Sequence, residues 1–96
     1  MNIVFDCSMP LQVVACETCE VGYTLEGASE NARVGVIAPD GYRVQVIETN
    51  RWSGKIVIEL PDAATDERIV VILSDEGNET VSRYIDLEVK AKSDVV

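Results

Sequence analysis

The sequence predicts an all-β chain folded as an immunoglobulin-like antiparallel β-sandwich of seven to eight strands. Three observations carry that expectation. Short apolar runs with two-residue alternation recur along the chain, turn signals part them about every 8–12 residues, and no segment keeps a helical period. The strongest run is Ile69-Val70-Val71-Ile72-Leu73, five apolar residues of which four are β-branched. It is too short for a buried helix and suits a pleated strand, so residues 67–75 are expected to form a central strand buried on both faces.

The other elements follow in order. Ile3-Val4-Phe5 and residues 11–15 form an extended pattern broken at Met9-Pro10, as in an edge strand that changes partners. Residues 19–26 alternate, with Cys19, Val21, Tyr23 and Leu25 on one side and Glu20, Gly22, Thr24 and Glu26 on the other. After a loop at 27–31, a third strand runs over 33–38 with Val34, Val36 and Ala38 inward. Pro39-Asp40-Gly41 turns the chain into a strand over 42–46. Residues 48–54 read as a polar loop. A strand over 55–60 then points Ile56, Ile58 and Leu60 inward. Pro61 to Asp66 turns the chain into the central strand. Asp75-Glu76-Gly77-Asn78 is a hairpin turn, and the last strand, over 81–91, sets Val81, Ile85, Leu87 and Val89 opposite Tyr84, Asp86, Glu88 and Lys90. The expected organisation is one domain over 1–91, with 92–96 a tail or the start of a linker.

Composition narrows the function classes. At 96 residues the chain can bury a single core without metal or disulfide staples, and 47% hydrophobic with 26% charged residues is ordinary for a globular domain. Seventeen acidic against eight basic residues leave a net charge of −9, which repels nucleic acid and anionic membrane surfaces. Histidine is absent, removing the commonest general base and metal ligand together. No run approaches the ~20 apolar residues of a membrane span, so no direct membrane insertion is expected. Val13-Val14-Ala15-Cys16 loosely resembles a lipoprotein cleavage box, but the stretch before it has no basic start, contains Asp6 and lacks a continuous apolar segment. The chain reads either as cytoplasmic or as one module of a longer exported protein.

Candidate chemistry is sparse. Cys16 and Cys19 form C-x-x-C, yet zinc would need Cys7 or carboxylates to complete four ligands, and a redox motif needs a helix start. The three cysteines read first as structural thiols, with a disulfide from Cys7 to Cys16 or Cys19 as the alternative. The acidic turn at 75–79 lacks calcium-loop spacing, and Asn78-Glu79-Thr80 is a formal glycosylation triplet. The acids sit singly on outward faces and in turns, so no catalytic residues, metal or cofactor are expected and the chain reads as a non-enzyme. Trp52, flanked by Asn50 and Arg51, is the candidate ligand-binding residue, either stacking a sugar or anchoring a protein, or else plugging the open end of the sandwich. Tyr42 reads first as packing at a sheet edge and second as a member of that ligand-binding set. Val70 and Ile72, facing away from the core, read either as an apolar strip against a neighbouring module or as the product of β-propensity alone.

Several stretches resemble a known module. They are Tyr23-Thr24-Leu25-Glu26-Gly27-Ala28, Val36-Ile37-Ala38-Pro39-Asp40-Gly41-Tyr42, Ser53-Gly54-Lys55-Ile56-Val57-Ile58, and the strand pair at 67–75 and 79–87. Together they resemble the immunoglobulin-like, BACON-like β-sandwich of Bacteroidetes surface and secreted proteins, over residues 3–90. The resemblance implies an exported or lipid-anchored multi-domain parent, at the cell surface, periplasmic or secreted. It also implies a spacer or adhesion role, or binding of carbohydrate or mucin. This chain departs from the module in lacking spaced tryptophans and in carrying its cysteine group. The expected function is therefore a non-catalytic spacer or adhesion module whose partners are the neighbouring domains of its parent. The alternatives are glycan binding through Trp52, with Arg51 and Asn50 donating and accepting hydrogen bonds, or protein–protein interaction through an edge strand or the Val70/Ile72 strip.

Overall fold

A computed structural model describes residues 1–77 and 80–91. Eight strands follow one another: β1 (Asn2–Phe5), β2 (Leu11–Val14), β3 (Thr18–Glu26), β4 (Arg33–Ile37), β5 (Arg43–Asn50), β6 (Ser53–Glu59), β7 (Glu67–Ser74) and β8 (Val81–Lys90). They form two four-stranded sheets, ordered β1-β3-β6-β5 and β2-β8-β7-β4. This is the strand order of a constant-type immunoglobulin domain, with β2 added beside the last strand. Pairing is antiparallel except between β2 and β8, which run parallel. The expected sandwich is therefore present with one parallel ladder. That ladder arises because the first strand is divided around the cis peptide Met9–Pro10, its first half pairing with β3 and its second with β8.

The core is made by alternation alone. Val21, Ile56, Ile58, Ile69, Val71, Leu73 and Ile85 are all fully enclosed, each the inward residue of its strand. Burying each of them is worth about 1.5–3 kcal/mol over leaving it exposed. Tyr23 joins them, and its ring closes over Gly54: a Cβ on Gly54 would strike the Ile47 carbonyl oxygen and lie 2.6 Å from the Tyr23 hydroxyl. Glycine is required there by close approach, and burial pushes the Tyr23 phenol pKa up, with the charge of Glu48 adding to it.

Two sequence expectations need correction. β7 is an inner strand, but only its Ile69, Val71 and Leu73 side is fully buried; Val70 and Ile72 are partly open to solvent on the outer face of their sheet. A two-layer sandwich covers one face of each sheet, so five consecutive apolar residues did not require two buried faces. The second correction concerns 48–54, which is no open loop: β5 continues to Asn50, and Asn50 pairs with Ser53 across a tight turn of Arg51 and Trp52. The expected tail at 92–96 and the Asn78-Glu79 part of the glycosylation triplet lie outside the described residues.

The enclosed and open sides of these strands separate sharply in cost. Ile69→Ala is expected to lower the unfolding free energy by about 2–5 kcal/mol, and Ile37→Ala, at an exposed edge position, by less than about 0.5 kcal/mol. Urea unfolding followed by circular dichroism measures both.

Candidate functional site

The up-and-down course of the strands gathers three connections at one end of the sandwich: the β3–β4 loop, the β5–β6 turn and the β7–β8 turn. Trp52 stands there, on the β5–β6 turn. The turn is set by Asn50, whose Oδ1 accepts from the Trp52 amide at 2.9 Å, the side-chain mimic of a backbone turn. The Trp52 carbonyl accepts from the Leu25 amide at 2.6 Å, and its indole Nε1–H donates to the Ala28 carbonyl at 3.1 Å. Backbone and ring are thus both tied to the end of β3 and its loop, while the side chain stays 46% exposed. The indole is anchored through its nitrogen at this end while the residue stays open to solvent.

The neighbouring β3–β4 loop is held from the far sheet. Asp75, just past β7 and only 7% exposed, accepts from the Ser29 amide at 2.8 Å and from the Ser29 hydroxyl at 2.5 Å. Ser29 Oγ in turn accepts from the Asn31 amide at 3.1 Å. Beside this latch Arg51 donates to Glu30 at 2.9 Å, an exposed ion pair linking the Trp52 turn to the same loop. An exposed pair of this kind is worth about 0–1 kcal/mol, so it orients more than it stabilises. An open cleft of about 660 Å³ adjoins it, lined by Glu30, Asn31, Arg33, Glu48, Ser74 and Glu76 among others.

The structure therefore brings Trp52, Arg51 and Asn50 together and separates Tyr42 from them. Tyr42 lies at the opposite end, where its hydroxyl donates to the Thr65 carbonyl at 2.9 Å and ties the β4–β5 loop to the β6–β7 loop. Burial raises its pKa, as it does that of Tyr23. Ser29, Glu30 and Asp75 were missed by sequence reasoning. Ser29 and Asp75 are 46 residues apart, and nothing local to either marks the other as its partner.

The structure records no disulfide bond among Cys7, Cys16 and Cys19. Burial raises the Cys7 pKa, and the charge of Asp6 and a hydrogen bond to it act in the same direction. Burial also raises that of Cys19, with Cys7 close enough to contribute. Both thiols are held protonated near neutral pH, the state of packing residues rather than of nucleophiles. Cys16 sits at the far end of β2 in a left-handed backbone conformation, φ 70°. Among the described residues no group of three or more Cys, Asp or Glu side chains is placed to hold a metal ion.

No family model matches the chain, and no curated protein sequence matches it. Solved structures do. The endo-fucoidan hydrolase MfFcnA4 from glycoside hydrolase family 107 contains a similar segment, with TM-score 0.65, 18% identity, and coverage of 94% of this chain but 14% of the hydrolase. DIP-gamma IG1+IG2 matches with TM-score 0.62 at 9% identity, over 95% of this chain and 50% of that one. The BIgI domain of the beta protein from S. agalactiae, solved bound to CEACAM1, matches with TM-score 0.54 at 11% identity, over 95% and 99%. At such identities the likeness is one of fold, and the shared fold is the immunoglobulin-like β-sandwich. The narrower affiliation with BACON-like modules rests on the sequence resemblance alone.

The Asp75 latch has a measurable consequence. Asp75→Ala leaves the Ser29 amide and hydroxyl without that acceptor and is expected to cost about 1–3 kcal/mol in unfolding free energy. Because the released loop carries the Ala28 carbonyl that holds the indole, Trp52 emission should also shift to the red. Glu88→Ala, on an exposed strand face, should change neither.

Proposed function

We propose that this chain is a non-catalytic spacer or adhesion module of a larger exported protein, BACON-like in affiliation, that joins neighbours at its two ends. The observation carrying this reading is where the chain enters and leaves the sandwich. Met1 lies against Gly27 at the Trp52 end, its nitrogen 3.3 Å from where a Gly27 Cβ would be. β8 runs the other way, and at its far end the Lys90 carbonyl accepts from the Ala15 amide at 2.8 Å. Domains attached at these points would be strung along a body measuring 47 × 21 × 19 Å instead of folding back beside it. The absence of histidine, the commonest general base, supports a role without catalysis. In the parent protein, excising this domain is expected to shorten the maximum dimension seen by small-angle scattering by about its 47 Å axis; an unchanged dimension would overturn the spacer reading.

A second reading is favoured by the anchored, half-exposed indole. A ring fixed by hydrogen bonds from its own backbone and Nε1 offers a face at low entropic cost, suited to a sugar ring or to an apolar side chain of a protein partner. The BIgI domain, solved bound to CEACAM1, is a domain of the same fold engaged by another protein. On this reading Trp52 emission shifts and saturates as a glycan panel or a candidate protein is titrated. Trp52→Ala is then expected to lower affinity by at least tenfold while leaving the circular dichroism spectrum intact. Emission indifferent to every addition would leave the indole as a cover for the sandwich end.

A further inference from the structure

The outer face of the β2-β8-β7-β4 sheet carries an apolar cluster that neither end of the domain uses. Ile37 on β4, Val70 on β7 and Tyr84 on β8 are direct cross-strand neighbours, and in the next row so are Gly35, Ile72 and Ser82. Ile37 is 60% exposed and Tyr84 47%, with Val70 between them and Ile72 in the next row both partly buried. Nothing stands within 4 Å of the position a Gly35 Cβ would occupy, so the face is open beside the cluster. On the opposite sheet the exposed apolar residues Val4 and Ile47 lie on the two outermost strands and form no such cluster.

The charges of this face identify its occupant. Along its strands the outward side chains include three cations, Arg33, Arg68 and Lys90, and two carboxylates, Asp86 and Glu88, for a sum of +1 on a chain of net −9. Two copies of so acidic a chain repel through most of their surfaces, and this is one through which they can approach. Arg68 and Asp86 are also cross-strand neighbours, 2.7 Å apart, with the guanidinium 4.5 Å from the Tyr84 ring centroid. Opposite charges side by side on adjacent strands are self-complementary about a two-fold axis running between those strands. The same axis sets Tyr84 of one copy against Val70 of the other.

We propose that this face is an isologous self-association surface whose occupant is a second copy of the chain. Arg68 and Asp86 of each copy meet Asp86 and Arg68 of its mate, and the Tyr84–Val70–Ile37 row is covered. Four strands about 4.8 Å apart and some 20 Å long offer roughly 400 Å² per copy, so the dimer is weak and of the transient class. It is independent of how the two ends of the domain are used.

Sedimentation velocity of the 96-residue chain tests this, from about 10 μM to 1 mM, the range of a small interface, at ~0.15 M salt to screen the net charge. The weight-average mass is expected to climb toward twice the monomer. Tyr84→Ser, Arg68→Asp and Asp86→Arg should each shift the midpoint at least tenfold to higher concentration. An equimolar mixture of the Arg68→Asp and Asp86→Arg chains should recover association, since each then faces the charge it needs. Damage within one chain could not be repaired by mixing. A wild-type mass that stays monomeric, or variants whose mixture stays monomeric, would overturn the proposal.

Discussion

The structure depends on one constraint: strand register. With thiols in place of a cross-sheet disulfide, the two layers are held by the residues that alternation turns inward, and Val21, Ile56, Ile58, Ile69, Val71, Leu73 and Ile85 are enclosed only while every ladder keeps its pairing. A slip of one residue in β7 would bring Val70 and Ile72 into the core and expel Ile69, Val71 and Leu73. Both sets are apolar, so pattern alone leaves β7 less strictly registered than its neighbours. Its flanking strands supply what it lacks. β8 alternates Tyr84, Asp86 and Glu88 with Ile85, Leu87 and Val89, and only one register hides the second set.

Register also fixes what the two ends can be. Once β3 to β8 are paired, the three connections at the Trp52 end have nowhere else to go, and their polar residues meet across the gap between sheets. That end is tied by side chains: Asp75 to Ser29, Arg51 to Glu30, and the indole to Ala28. The opposite end is tied largely by backbone, with the Leu60 amide donating to Glu17 and the Cys16 amide to Pro61, while the Tyr42 hydroxyl and the Asp66 carboxylate, which accepts from the Val89 amide at 2.7 Å, add side-chain ties. Side-chain latches change with single substitutions and backbone latches do not. The Trp52 end, which carries more of the side-chain ties, is consequently the easier of the two for sequence variation to remodel without refolding the domain.

Most of the architecture was legible because most of it is periodic. The alternation in residues 19–26 and 55–60, the Pro39-Asp40-Gly41 turn and the break at Met9-Pro10 each encode one local decision, and the sheets follow from adding those decisions together. What stayed hidden was non-local or depended on a neighbour. The tight turn at Arg51 and Trp52 was obscured because Glu48 and Thr49 look like loop residues, although an edge strand with one open flank tolerates them. The Ser29–Asp75 latch spans 46 residues and leaves no trace in either segment. Tyr42 stood in the same candidate set as Trp52, and only the alternating direction of the strands shows that a β4–β5 residue must lie at the far end.

The apolar run that first suggested a strand buried on both sides carries a further meaning once one side proves open. β-propensity can account for Val70 and Ile72, since branched residues suit an inner strand wherever they point. It does not account for Ile37 and Tyr84 in the same row, on two other strands, chosen separately along the chain and brought together only by pairing. Nor does it account for the charge-balanced margin of that row on so acidic a chain. A solvated sheet face would ordinarily alternate with polar residues and share in the net charge. This face carries an unbroken apolar row among its polar residues and does not share the net charge, and the two departures coincide at Arg68, which is paired with Asp86 and stacked on Tyr84 at the boundary between the apolar row and the charged one.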